Sequence, residues 1–272
     1  MLDSSSEDAA VATPLTVEQA IANLKSEDVS LRYYAAWWLG KFRVDQPAAI
    51  EALIAALEDE DYRTELGDYP LRRNAARALG KLGDQRSVPQ LLRSLGCSDY
   101  YVREAAAQSL GMLGDSSAIP ALMELIADGL AAALEVPGRP HLTQPCEAVV
   151  EALGSLQAKE AVPLIEPFID HPMPKVQYAA LRAMYQLTGD DVYGQRLMAG
   201  LQNEDVKWRR VVLADLGAIV YLPAAEAIAR TSAESSFKLI ALKGLLEHQL
   251  NPNQPQLSST AIELMNLMDS LL

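Results

Sequence analysis

Leu31-Arg32-Tyr33-Tyr34-Ala35-Ala36-Trp37-Trp38-Leu39-Gly40 decides the fold, because the chain repeats its skeleton. The phrase returns as Leu71-Arg72…Ala75-Ala76…Leu79-Gly80 and as Val102-Arg103…Ala106-Ala107…Leu110-Gly111. Looser copies start at Pro145, Val176 and Trp208, and a fading one starts at Phe237. Apolar or small residues hold offsets 0, 4, 5 and 8, which fall on one side of a 3.6-residue helix. The central Ala-Ala lets a neighbouring helix approach closely. Gly at offset 9 reads as a helix C-terminus. A short turn follows, Gly83-Asp84 or Gly114-Asp115. A second helix then opens with Pro89, Pro120 or Pro163 near its first turn, where the missing N–H has no intrahelical partner to lose.

Each unit is therefore two antiparallel helices, and the chain is predicted to be all-α with no sheet. Repeats of this length build a HEAT-like solenoid, here of about six to seven helix pairs. The copies start at 31, 71, 102, 145, 176, 208 and 237, so a basic unit of about 31 residues carries two insertions. One runs from Tyr62 to Pro70 and the other from Leu134 to Gln144. Insertions in such arrays emerge as loops at one edge, often beside the binding surface. The predicted organisation is a disordered tail over 1–13, a repeat domain over 14–250, and a linker with a short C-terminal helix over 251–272. In the last segment Ile262, Leu264, Met265, Leu267, Met268 and Leu271 form an apolar helical face suited to capping the last repeat.

The chain carries 23 basic and 36 acidic residues in 272, a formal charge of −13. That balance argues against nucleic acid, which needs a basic footprint, and against anionic membrane surfaces. No apolar run reaches membrane-spanning length. The polar, acidic start Met1-Leu2-Asp3-Ser4-Ser5-Ser6-Glu7-Asp8 is not a signal peptide. Cys97 and Cys146 sit in different units and form no disulfide framework, which points to a reducing compartment.

Signatures of chemistry are few. There is no glycine-rich phosphate loop. His141, His171 and His248 are scattered and lack metal-ligand spacing, so no metal is expected. Cys146, at the usual Arg position of its copy, reads as a half-buried structural thiol.

What remains is a surface. Offsets 2 and 6 point away from the core at 100° per residue. Across consecutive copies they read Tyr33 and Trp37, Arg73 and Arg77, Glu104 and Gln108, Glu147 and Glu151, Tyr178 and Arg182. If these helices line the concave side, the residues form a ladder running from aromatic through basic to acidic. Arg72, Arg73, Arg77 and Lys81 suit carboxylates or phosphates. Tyr34 and Trp38 are expected nearer the core, and Tyr33 and Trp37 are expected at the surface as a ligand or partner contact. Tyr100 and Tyr101 add two rings. An aromatic platform beside arginines suits a flat, carboxylate-bearing ligand or a protein partner.

The strings Leu31-Arg32-Tyr33-Tyr34-Ala35-Ala36-Trp37-Trp38-Leu39-Gly40-Lys41-Phe42 and Asp68-Tyr69-Pro70-Leu71-Arg72-Arg73-Asn74-Ala75-Ala76-Arg77 resemble the E subunit of the E/F-type phycobilin lyases. The resemblance runs from about residue 15 to 250. It implies a PBS-lyase-type repeat array that pairs with an F-type subunit. It implies attachment of phycocyanobilin, an open-chain tetrapyrrole, to a cysteine of the phycocyanin alpha subunit by a thioether bond. The nucleophile then belongs to the acceptor, and the bilin is a substrate, with no permanently bound cofactor. A cytoplasmic place in phycobilisome biogenesis follows, without nucleic acid or membrane insertion. On this reading Tyr33, Trp37, Tyr69, Arg72, Arg73, Asn74, Arg77, Tyr100, Tyr101 and Gln108 are candidates for bilin binding. Glu104, Glu147 and Asp68 are candidates for the carboxyl that tunes bilin protonation. The alternative is a non-catalytic HEAT-repeat scaffold or bilin carrier in phycobilisome assembly or disassembly.

Overall fold

The computed structural model describes residues 15–250 and 256–272. The tail predicted over 1–13 and the linker Asn251–Pro255 lie outside the described residues. Among the described residues, a leading helix α1 (Val17–Asn23) is followed by seven helix pairs. They are α2 (Val29–Lys41) with α3 (Pro47–Ala56), α4 (Pro70–Leu82) with α5 (Val88–Ser94), α6 (Tyr100–Leu113) with α7 (Ile119–Leu125), and α8 (Cys146–Ser155) with α9 (Val162–Ile165). The array continues with α10 (Pro174–Thr188) and α11 (Asp191–Ala199), α12 (Val206–Ala218) and α13 (Ala225–Arg230), α14 (Ser235–Glu247) and α15 (Ser259–Asp269). No strand forms among these residues. One isolated antiparallel bridge, Glu135 to Leu142, closes the second insertion.

The repeated phrase lies on the first helix of each pair. These phrase helices stack on one another from α2 to α14, whereas the second helices from α3 to α13 barely touch the next of their kind. An array with one row more closely spaced curves toward that row. The phrase helices therefore line the inside of the curve.

The glycine at offset 9 explains the close spacing, and its predicted place at a helix end is corrected. Gly40, Gly80, Gly111, Gly154 and Gly217 all lie inside their helices. A Cβ at Gly40 would stand 2.8 Å from the Cα of Ala78, and one at Gly111 or Gly154 would stand 3.0 Å from the Cα of Ala152 or Ala183. In each case the facing residue holds offset 7 of the next copy. The helix ends are made later, by Gly83, Gly114 and Gly189 in left-handed conformation.

One junction breaks the rule. The fifth copy has Tyr185 where every other copy followed by a further phrase helix has glycine, and the facing offset-7 residue is Asp215 instead of a small one. The α10–α12 contact is correspondingly looser than its neighbours. One hydrophobic cluster extends from α1 to α10, and a second runs from α10 to α15.

Asp28, Asp99 and Asp205, all at offset −3, cap α2, α6 and α12 by accepting from the amides of Ser30, Tyr101 and Lys207 at 2.7–2.8 Å. Leu31 and Phe237, at offset 0 in the end copies, are exposed because stacking is incomplete there. On α15, Leu264 is buried, Leu267 and Met268 pack on the second cluster with Leu271 just beyond the helix end, and Ile262 and Met265 face outward.

Candidate functional site

The inner face joins the rungs of the predicted ladder into one polar strip. Arg77 on α4 reaches Glu104 on α6 at 3.5 Å. Glu147 on α8 pairs with Lys175 on α10 at 3.3 Å. Glu151 on α8 lies 3.9 Å from Arg182 on α10, which in turn bonds Asp215 on α12 at 3.0 Å. Each link crosses to the next phrase helix, from an offset-2 or offset-6 residue to a neighbour that also includes Lys175 at offset −1 and Asp215 at offset 7. Burial pushes the Glu104 carboxyl above its ordinary range, against the pull of Arg77 and Lys175.

At the aromatic end, Tyr33, Trp37, Asn74, Arg77 and Lys81 surround an open cavity of about 260 Å³ floored by Ala36, Gly40 and Ala78. The small floor is the same close approach that sets the helix spacing. Tyr33 is 37% exposed, Trp37 44% and Tyr34 46%. Tyr34 was expected nearer the core and is instead the most exposed of the three, with its ring 5.5 Å from that of Trp37. Trp38 does pack against the core, beside Phe42.

The two insertions meet. Arg139 of the second donates to the Leu66 carbonyl of the first at 2.9 Å and lies 3.9 Å from Asp68. Asp68 occupies offset −3, where other copies place the capping aspartate. Here Pro70 opens α4 and no side chain caps it, so Asp68 serves the clasp. Beside it, His141 stacks on Tyr100 at 4.4 Å and meets Tyr101 edge-on at 5.7 Å. The Arg73 guanidinium sits 5.7 Å over the Tyr101 ring. Both insertions thus form one rim at the N-terminal ends of α4, α6 and α8. Arg139→Ala is expected to open this rim at a stability loss of about 1 kcal/mol, one exposed pair plus one backbone bond. Hydrogen exchange should quicken in both loops together; quickening confined to 134–144 would show that the clasp does not couple them.

Several predicted ligand residues are corrected. Arg72 turns away from the groove, donating to the Asp59 carbonyl at 2.7 Å and pairing with Glu60. Tyr69 is buried, its amide bonded to Asp99 at 2.6 Å and its ring flanked by Arg72 and Arg63. Asn74 is buried and donates to the Tyr33 carbonyl at 3.3 Å. Tyr100 is buried in its stack with His141, which pushes its phenol above the usual range, with Glu104 and Glu147 adding to the effect. Tyr178 leaves the ladder, buried and bonded to Asn203. Cys146 is fully rather than half buried, and burial drives its thiol up to about 12, which removes it as a nucleophile. Arg73, Arg77, Tyr101, Gln108, Glu104 and Glu147 remain partly accessible.

Sequence reasoning missed Lys175, Arg139, His141 and Asp215 as members of this face. Asp215 had a signal. In the copies that stack behind a preceding phrase helix, offset 7 otherwise reads Ala78, Ser109, Ala152, Ala183 and Gly244, all small, so a charged residue there marks a departure; only the first copy, with no phrase helix before it, holds the large Trp38. His141 and Arg139 had none, because their contacts join segments about 40 and about 70 residues apart in the chain.

Comparisons with known proteins follow the same lines. The PBS lyase HEAT-like repeat family matches residues 31–59, and the HEAT repeat family matches 64–134. A phycocyanobilin lyase subunit alpha from Nostoc sp. PCC 7120 is 62% identical, over 95% of this chain and 94% of its own length. A bilin biosynthesis protein PecE from the same organism is 42% identical, over 95% and 96%. A solved complex of CpcE and CpcF of phycocyanin lyase, also from Nostoc sp. PCC 7120, contains a chain with a TM-score of 0.90 and 63% identity, covering 99% of this chain and 100% of that one.

Proposed function

The chain belongs to the phycocyanobilin lyase alpha-subunit family, and from that premise we propose that it is one half of a two-subunit lyase. The enzyme joins phycocyanobilin to a cysteine of the phycocyanin alpha subunit. The observation that carries the site is the inner-face cavity where Tyr33 and Trp37 stand opposite Arg77 and Lys81. Its volume of about 260 Å³ falls below the roughly 300–1,000 Å³ of ligand pockets, and it is open. It therefore takes one end of an extended tetrapyrrole, leaves the remainder along the polar strip, and needs an F-type partner to close the groove.

The cationic side chains of Arg77, Lys81 and Arg73 hold the propionates, and Arg supplies the bidentate geometry that carboxylates favour. Tyr33 and Trp37 stack on the conjugated body. Glu104 and Glu147 face the pyrrole nitrogens. In the reaction the acceptor S–H bond breaks, a C–S bond forms at the ring A ethylidene, and its neighbouring carbon takes a proton. No electron transfer is involved. Positioning converts a bimolecular addition into an effectively unimolecular one. No described helix is long and apolar enough to cross a membrane. We place the protein in the cytoplasm, in phycobilisome biogenesis, with the bilin as substrate only.

Co-expression with an F-type subunit, phycocyanobilin and the acceptor should yield one isomer at one cysteine, seen as zinc fluorescence in a denaturing gel. A mixture of isomers at the uncatalysed rate would support a scaffold or carrier instead. Arg73→Ala with Arg77→Ala is expected to weaken bilin retention about 100-fold or more, since each charge-assisted bond contributes about 1.5–3 kcal/mol and tenfold is about 1.4 kcal/mol. Unchanged retention with a folded array would take both arginines out of the site.

A further inference from the structure

We propose that Glu151 is the proton donor of the attachment reaction, with Arg182 and Asp215 as the positioning pair behind it. The inference rests on the lyase reading of the inner face. Three consecutive phrase helices contribute one residue each, across the one junction where Tyr185 replaces the spacing glycine.

Two carboxyls compete there for one guanidinium. Asp215 bonds Arg182 directly at 3.0 Å, while Glu151 stands off at 3.9 Å. Asp215 is 4% exposed, and its second oxygen has no hydrogen-bond partner among the described residues. The Nε of Arg182 is buried and likewise unpartnered. The nearer acid takes the charge, and the farther one is left short of compensation. Glu151 is also the member that reaches the groove. It holds offset 6, the position of Trp37, Arg77 and Gln108, with a third of its side chain accessible.

The surrounding charges act in the same direction. The Glu151 carboxyl is pushed up to about 7, first by burial and then by Asp215, Glu147 and Glu104, against the pull of Arg182. Lys175 is engaged with Glu147 at 3.3 Å and leaves Glu151 uncompensated. A carboxylic acid that keeps its proton near neutrality is matched to donating it there. Glu151 gives its proton to the bilin carbon beside the forming C–S bond. It regains one from the acceptor thiol through solvent, so the ethylidene gains one S and one H overall. Of the carboxyls on this strip, Glu104 and Glu147 are each held near a cation, and Asp68 lies on the rim.

The test uses the assembled heterodimer with the F-type subunit, phycocyanobilin and the phycocyanin alpha subunit. Glu151→Gln should slow attachment about 100-fold near pH 7 while bilin retention and heterodimer formation stay as in the wild type. Asp215→Asn frees Arg182 for Glu151 and removes a like charge, so the fall in rate at alkaline pH should move to lower pH. Infrared difference titration, wild type minus Glu151→Gln, should show a carboxylic-acid band disappearing around pH 7. A wild-type rate in Glu151→Gln, an absent band, or an unmoved profile in folded Asp215→Asn overturns the assignment while the wild-type enzyme still attaches bilin. A wild-type heterodimer that attaches nothing overturns the lyase reading and the donor role with it. Glu151→Gln is isosteric and partly exposed, so the test stands even if Asp215→Asn does not fold.

Discussion

Gly217→Val is expected to destabilise the chain by about 3 kcal/mol, the upper part of the usual range for overfilling a core. A Cβ at Gly217 would lie 2.9 Å from the Cα of Ala241 and 3.0 Å from its carbonyl oxygen. Both are backbone atoms, so no side chain can swing aside, and α12 and α14 must separate. Helix propensity argues the other way, since Gly is about 1 kcal/mol worse than Ala in a helix interior. The contest makes Gly217→Ala informative: propensity alone predicts a gain, and the close approach predicts a loss. Gly83→Ala is the control. Gly83 has φ 76° and nothing within 4 Å of the added carbon, so it should cost only about 1–2 kcal/mol of left-handed strain. Thermal melts should fall by roughly 6–12 °C for Gly217→Val, at 2–4 °C per kcal/mol. An unchanged melting point would mean that α12 and α14 do not depend on this close approach.

Arg182→Ala should be comparably severe, at about 3 kcal/mol or more, because it strands the buried Asp215 carboxyl and the half-buried Glu151 carboxyl. Its effect depends on pH, and the sign follows from the folded values. Asp215 titrates at about 6 and Glu151 at about 7, both raised first by burial and both pulled down by Arg182. A carboxyl whose folded value exceeds its unfolded one contributes fully below the unfolded value, and that contribution is lost as pH rises through the folded value. In the wild type the loss therefore falls between about pH 4 and pH 7. Without Arg182 both groups titrate higher still, and the penalty for ionising them grows. The destabilisation should be largest near pH 8 and shrink toward pH 5, where both carboxyls hold protons. Urea unfolding of both chains at the two pH values measures this. A destabilisation that does not change with pH would assign Arg182 a role in side-chain stacking alone.

The repeat was legible because it is local. Spacing of Leu, Ala-Ala and Leu within one helix follows from the 3.6-residue turn, and it placed all seven phrase helices on the stack. The offset-9 glycine was misread for a related reason. Within one helix it looks like a terminus, and only the neighbouring helix reveals that it exists for Ala78, Ala152 or Ala183. Tyr34 failed similarly, since its side of α2 is covered only if another element lies there. The ladder at offsets 2 and 6 survived from Tyr33 to Arg182 except at Tyr178, which Trp208 and Asn203 cover from the next copy.

By itself the sequence determined the helices, their pairing, the inner-facing slots and the family resemblance, because each depends on residues within one or two turns or on adjacent copies. Only the tertiary structure decided which slots are open, that the two insertions clasp through Arg139, and that Glu151, Arg182 and Asp215 share one charge network. Those contacts span about 30 to 70 residues of chain. Burial, and the cost of charge within it, depends on everything that folds around a group, which no local spacing encodes.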